Sequence, residues 1–329
     1  MRGAPELIRP SAFWEAWNEE HMRLLNEAGF ASFKRTINRN YFNWVPRSPR
    51  DDQFRAVARD GLRRPGATLR AMTARVEDTT DLEFLPRASQ RRAHAVFLAL
   101  LWEYVSARDP LGLLGSLEEP SLGRPIVVTH RGRRISQDLC NSVHELGSML
   151  EDPATPPVTS VIELGSGYGR VAWAFLQAFP QTRYVLVDIP PALAVAQRYL
   201  TTLFPKLRTF SFRSFEDPAA AAEEIREAQL AFITPNQLAR LPSLEAQLFV
   251  NISSLHEMRI EQIDFYLREV DRHCAGAFYT KQWRSSTNPF DGVVITREDY
   301  SIPEDWSTVY SRDHPIQTGF FEALYRVRP

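Results

Sequence analysis

The chain has 329 residues, 44% hydrophobic, 11% aromatic and 24% charged, a make-up that suits one large or two ordinary globular domains and excludes disordered, collagenous and coiled-coil classes. Lys and Arg number 39 against 40 Asp and Glu, a formal net charge of -1, so no global field exists for nucleic acid, polyphosphate or anionic lipid. Cys140 and Cys274, the two cysteines, are too few for a disulfide framework or a zinc site and fit reduced, buried thiols.

The first third reads as helical. Ser11 suits the cap of a helix whose apolar positions Phe13, Trp14, Trp17, Met22, Leu24 and Leu25 recur near every 3.6 residues, and Gly29 stops it. A Pro/Arg-rich stretch at 46–50 precedes a second apolar segment at 54–69, and an amphipathic helix is predicted over 88–107. No strand pair is predicted before Ile126, and 110–125, rich in Gly, Pro and Ser and carrying Glu118 and Glu119, suits an exposed linker. Another helix starts at Ser136-Gln137-Asp138. No apolar run approaches the roughly 20 residues of a membrane span, and no cleavable leader is read at the start, so the expected location is cytoplasmic.

From residue 158 the pattern changes to short apolar runs alternating with helical windows, the mark of a parallel sheet made of βαβ units. Strands are predicted at 158–164, 184–189, 209–212, 247–252 and 277–281, with helices at 171–179, 191–203 and 261–274 and a closing antiparallel hairpin at 307–311 and 320–327. This divides the chain into a helical region, 1–128, and an α/β domain, 129–329.

The most informative stretch is Glu163-Leu164-Gly165-Ser166-Gly167-Tyr168-Gly169-Arg170, a strand running through a glycine-rich turn into a helix. Glycines there let the backbone take positive φ and let a nucleotide-like ligand lie against main-chain N–H groups. A dinucleotide site would want its third glycine at position 170, which is Arg170. Asp188 ends the second strand, where a carboxylate is placed to accept from both hydroxyls of a ribose. Glu216 or Asp217, after the strand at 209–212, suits an adenine amino group, although Asp217-Pro218 also reads as an ordinary helix cap.

The acidic-x-Gly-x-Gly-x-Gly arrangement resembles the first motif of class I S-adenosylmethionine-dependent methyltransferases. The resemblance implies a Rossmann-like fold with a seven-stranded, mostly parallel sheet, and S-adenosylmethionine as cofactor, held by Glu163, Gly165, Ser166, Gly167, Gly169, Asp188, Ile189, Glu216 and Asn251. A cofactor with a cationic sulfonium and ammonium and no phosphate also suits a carboxylate beside the loop.

In such a sheet the loop after the fourth strand faces the reacting group, and here it is Asn251-Ile252-Ser253-Ser254-Leu255-His256-Glu257-Met258. Methyl transfer to a hydroxyl requires loss of its proton, which makes His256 the candidate general base and Glu257 the alternative; both also suit the cap of the following helix. Together with Asp188-Ile189-Pro190-Pro191-Ala192-Leu193 and Thr234-Pro235-Asn236-Gln237-Leu238, this loop is similar to the sugar O-methyltransferases of bacterial polysaccharide and natural-product gene clusters. The likeness covers about residues 130–329 and implies a small-molecule acceptor, a sugar or glycosylated metabolite; Ser254 on this loop, and Asp138 and His144 on the element feeding the first strand, are the candidate acceptor contacts, although the polar groups of that element also suit the wet face of a helix. Other acceptor groups are Arg134, Gln137 and Glu145, and an aromatic lid of Trp14, Trp17, Tyr41 and Trp44. With only Glu257 on the loop, no metal is expected. A non-sugar polyketide acceptor, or a protein that binds or cyclises a metabolite without methyl transfer, stays open, as does a homo-oligomer.

Overall fold

The computed structural model describes residues 12–36, 45–83, 85–153, 157–287 and 292–327. Tyr41 and Trp44, and the side chains of Trp14 and Trp17, lie outside that description, so the aromatic lid is not placed. No helix among the described residues is long and apolar enough to cross a membrane.

The chain forms two compact units, one comprising Glu20–Ser148 and Pro315–Thr318, the other Met149–His314 and Gly319–Pro329 together with the residues up to Glu19, so that the division falls within the first helix. The division falls after Ser148, so the residues from 129 to 148 go with the helical unit.

In the helical unit, after α1 (Ala12–Ala28), come α2 (Phe33–Thr36), α3 (Asp52–Leu62), α4 (Pro65–Ala71), β1 (Arg75–Val76), α5 (Ala88–Ser106), α6 (Leu113–Ser116), β2 (Val128–His130), β3 (Arg133–Ile135) and α7 (Gln137–Met149). The centre is α5, whose Phe97, Leu98 and Leu101 are wholly buried; the Phe97 ring lies 6.2 Å from that of Phe54 on α3. Among the described residues no strand pair lies wholly before Ile126: β1 pairs antiparallel with β2, which follows that position, and a two-residue strand such as β1 carries too short a pattern to be read. One expectation is corrected. The 110–125 segment is not an exposed linker: it contains α6, and Glu119 is buried, accepting from Lys34 Nζ at 2.5 Å and Ser136 Oγ at 2.6 Å. Acidic residues are seldom buried unless paired, and the partners sit 85 and 17 residues away in sequence.

The second unit carries β4 (Ser160–Leu164), α8 (Arg170–Ala178), β5 (Arg183–Val187), α9 (Pro190–Leu203), β6 (Thr209–Phe210), α10 (Pro218–Glu227), β7 (Leu230–Ile233), α11 (Pro235–Leu238), β8 (Ala246–Ile252), α12 (Ile260–His273), β9 (Cys274–Trp283), β10 (Ser285–Thr287), β11 (Val294–Thr296), β12 (Ser307–Asp313) and β13 (Phe320–Arg326). Its sheet runs β12-β13-β9-β8-β4-β5-β7-β6. The six strands from β9 to β6 are parallel, and β13 and β12 close one side antiparallel. The Rossmann-like architecture is therefore present, with eight strands where seven were expected. The additional strand is β7, a run of four buried residues between β5 and the edge strand β6. Four apolar residues without alternation are short for recognition, and it is burial on both faces that makes them a strand.

The chain leaves β4 on the β5 side and returns on its other side as β8. At such a reversal the loops after neighbouring strands diverge and open a crevice at their carboxyl ends. The glycine-rich turn follows β4, Asp188 follows β5, and the His256 loop follows β8.

Candidate active site at the carboxyl ends of the parallel strands

Gly165, Gly167 and Gly169 all adopt positive φ, at 74°, 56° and 83°, a region costly for residues with a Cβ. Each also has its own surroundings. A Cβ at Gly165 would collide with the Ser254 hydroxyl and lie 2.7 Å from its Cβ; one at Gly169 would lie 2.8 Å from Leu200 Cδ1. One at Gly167 would meet nothing within 4 Å. Two of the glycines thus let the turn pack tightly, and the middle one faces open space.

Asp188 binds the turn to its own strand. Its Oδ2 accepts from Gly167 N–H and its Oδ1 from Ile189 N–H, both at 2.7 Å. A carboxylate has about four acceptor positions, so both oxygens retain capacity toward a ligand. Burial pushes this carboxyl up to about 7, against the lowering effect of the Ile189 and Gly167 hydrogen bonds. Next in the turn, Ser166 is buried and its hydroxyl has no hydrogen-bond partner. Such a buried orphan is rare in a folded protein, and an absent ligand is one explanation of it.

Glu163 is buried on β4 and accepts from Tyr184 Oη at 2.9 Å across to β5. The pair is diagonal on one face of the sheet, since Val161 stands opposite Tyr184. Ile189 is the N-cap of α9. Asp217 caps α10, accepting from Ala219 and Ala220 N–H at 2.9 and 3.2 Å, while Glu216 is exposed beyond β6, a strand separated from β5 by β7.

Beyond β8, Asn251 has no exposed surface. Its Nδ2 donates to Leu164 O at 2.9 Å and Ser254 Oγ at 2.7 Å, and its Oδ1 accepts from Gln282 Nε2 at 2.5 Å. Asn251 and Ser254, read from sequence as ligand contacts, are thereby engaged in fastening the β8 loop to the end of β4. Ser253 between them takes a φ of 58° and donates its N–H to Lys281 O at 2.8 Å.

His256 lies in a single 3₁₀ turn, Leu255–Glu257. Its Nδ1 is 3.0 Å from Gln282 Oε1, its ring meets Trp283 edge-on at 6.4 Å, and Glu257 Oε1 is 3.7 Å from Nε2. Burial lowers the imidazole's pKa to about 4, with the Gln282 hydrogen bond acting the other way. Neither His256 nor Glu257 caps α12; Arg259 holds that position, its N–H donating to Gln262 Oε1 at 3.2 Å. Two further groups join the site: Gln282, which the sequence places at the end of the fifth predicted strand with its role open, and Tyr300, which the sequence does not point to. Gln282, on β9, touches both His256 and Asn251. Tyr300 is buried with its hydroxyl's pKa raised by burial and then by Asp299 and Glu257.

Asp138 and His144 belong to the helical unit. Asp138 lines a small cavity there with Lys34, His94 and Gln137; His144 packs edge-on against Tyr104 at 6.2 Å. Arg134 pairs with Glu77 at 3.1 Å.

No family model matches the chain, and no curated protein does. Solved structures resemble it in part. A methyltransferase from Clostridium acetobutylicum described as S-adenosylmethionine-dependent is 11% identical, over 52% of this chain and 84% of that one, with a TM-score of 0.36. The 1,6-didemethyltoxoflavin-N1-methyltransferase of Burkholderia thailandensis, solved with its substrate and S-adenosylhomocysteine, is 16% identical, over 59% and 79%, with a TM-score of 0.39. A geranyl diphosphate methyltransferase in complex with S-adenosylmethionine is 12% identical, over 57% and 85%, with a TM-score of 0.39.

Proposed function

We propose that this chain binds S-adenosylmethionine at the turn after β4 and transfers its methyl group to a hydroxyl of a small-molecule acceptor, a sugar or glycosylated natural product. The observation that carries the reading is the cradle at that turn. The Gly167 N–H is held by Asp188, the side of Gly167 that a Cβ would fill is open, and the buried Ser166 hydroxyl has no partner in the protein. A phosphate-free nucleoside ligand suits that set, because Asp188 offers acceptors to ribose hydroxyls and no cationic side chain is needed.

When bound, S-adenosylmethionine supplies an electrophilic methyl carbon on a sulfonium. The chain's own part is to hold the ribose through Asp188, to give Ser166 its missing hydrogen bond, and to take the acceptor's proton at His256 Nε2. A pKa of about 4 keeps the imidazole neutral at physiological pH, and therefore able to accept. Such a base is weak in itself. Glu257, 3.7 Å from Nε2, stands beside the nitrogen on which the acceptor's proton would arrive.

Calorimetric titration of the protein with S-adenosylmethionine, and separately with NAD, tests the first half. Saturable binding of the former alone is expected, and NAD binding would restore a dinucleotide reading. Mass spectrometry of glycosides and aglycones incubated with methyl-labelled cofactor tests the second. A gain of one methyl group on glycosides is expected; gain on aglycones alone would move the acceptor class, and binding without gain on any acceptor would leave a metabolite-binding protein.

A further inference from the structure

We propose that Gln282 is a positioning residue that fixes the His256 ring in its Nδ1–H tautomer and leaves Nε2 unprotonated. The proposal rests on the reading of His256 as the proton acceptor for its functional meaning, and on hydrogen-bond polarity for its structural content.

Side-chain amides and imidazoles can be turned end for end without altering shape, so their polarity has to come from groups that cannot exchange roles. Three main-chain groups supply it here. The Leu164 carbonyl can only accept, which makes the Asn251 atom 2.9 Å away an N–H donor and turns Asn251 Oδ1 toward Gln282. The Asn251 carbonyl can only accept, and it lies 3.3 Å from the same Gln282 atom that faces Asn251 Oδ1 at 2.5 Å, so that atom is Nε2. The His256 N–H can only donate, and it points at the other end of the Gln282 amide at 3.4 Å, which is therefore Oε1.

An oxygen opposite Nδ1 at 3.0 Å requires a proton on Nδ1. In the neutral ring Nε2 is then unprotonated. The direction of every bond from the end of β4 to His256 is thus set by backbone, through three fully or almost fully buried side chains, Asn251 and Gln282 at 0% exposure and His256 at 6%. On the opposite side of the ring, Glu257 Oε1 at 3.7 Å from Nε2 favours the other tautomer. Gln282 is the group that decides against it. Because Leu164 immediately precedes the glycine-rich turn, the same chain also ties the ring's position to that of the cofactor cradle.

The test is nitrogen-15 NMR of protein labelled on histidine, near pH 7, with the His256 ring signals assigned by their loss in His256→Phe. The expected spectrum has Nδ1 protonated and Nε2 bare. A wild-type ring with its proton on Nε2 overturns the proposal without any variant being needed. In Gln282→Leu the Nδ1–H signal should be lost or mixed with the Nε2–H form; an unchanged tautomer there overturns it too. Gln282→Glu, which keeps an acceptor opposite Nδ1, should restore the Nδ1–H form.

On a verified acceptor, Gln282→Leu should lower kcat by at least about tenfold, part of the hundred- to ten-thousandfold that a positioned base supplies. Cofactor affinity should stay within about threefold, since the change is in which nitrogen bears the proton. If the tautomer behaves as stated while His256→Ala leaves turnover intact, the positioning by Gln282 stands and the reading of His256 as base falls. If the tautomer is wrong while His256→Ala abolishes turnover, the base stands and Gln282 does not position it.

Discussion

Asp188 spends one carboxylate on two main-chain donors and still has lone pairs to offer, and its protonation follows from that crowding. Burial raises its pKa to about 7, so between about pH 4 and pH 7 the folded chain keeps a proton that the unfolded chain has released, and this group's contribution to stability falls as pH rises through that window. Asp188→Asn should flatten the stability–pH slope there in denaturant melts; an unchanged slope would show that the carboxyl titrates normally. Ribose hydroxyls donate best to the ionised form, so cofactor binding near pH 7 should release protons in wild type and none in Asp188→Asn, as calorimetry in buffers of different ionisation heat would show. Asp188→Ala should weaken binding by about 1.5 to 3 kcal/mol, the range for charged hydrogen bonds. His256→Ala should lower turnover at least about a hundredfold with cofactor affinity nearly unchanged; a larger loss in Glu257→Ala would transfer the role of base to Glu257. Asp188 and the three glycines were legible in the sequence because their meaning is local, a turn at the end of a strand. For Gln282 only the position at the end of its strand was legible and not the role, which it acquires only beside Asn251, 31 residues earlier.

The β4 turn and the β8 loop are built as one object. The turn must pass so close to Ser254 that only glycine fits at 165, and Asn251 holds the two together through the Leu164 carbonyl. Gly165→Ala should therefore destabilise the fold by a few kcal/mol, through both the collision and a φ of 74°, and adding Ser254→Gly should recover the collision part in a urea titration. Gly167→Val differs in kind. Its side chain would enter open space, so the cost to folding should be limited to about 1 to 2 kcal/mol of backbone strain, while S-adenosylmethionine binding should disappear. A folded Gly167→Val protein that still binds the cofactor would sink the assignment of the turn. The elements of this unit were read nearly in place from alternation of apolar runs and helical windows. In the large sheet the strand that escaped, β7, carries too few residues to show a period, and its presence is what separates β6, and Glu216 beyond it, from the β5 edge; the short pair β10 and β11 escaped as well.

At the scale of the molecule, the helical unit carries a buried ion pair between residues 85 positions apart in the sequence. Lys34 and Glu119 have side chains 1% and 3% exposed, and removing one partner leaves the other's charge in a medium that cannot solvate it. Glu119→Ala should thus cost about 3 to 5 kcal/mol in chemical denaturation, whereas Lys34→Met with Glu119→Leu should cost much less; equal losses would show that packing, and not charge, is what Glu119 contributes. The two ends of the large sheet have a further consequence. At one end stands β6, two residues long. At the other stands β12, whose register with β13 slips between Thr308 and Tyr310, and whose Arg312 and Asp313 are already committed to Glu151, Glu322, Arg284 and Arg297. Short, bulged and charge-lined margins are how natural sheets refuse a stranger's strand. Neither margin offers a template for a second chain, so crowding many copies together should not extend this sheet from molecule to molecule, and self-association, where it occurs, must use surfaces other than its borders.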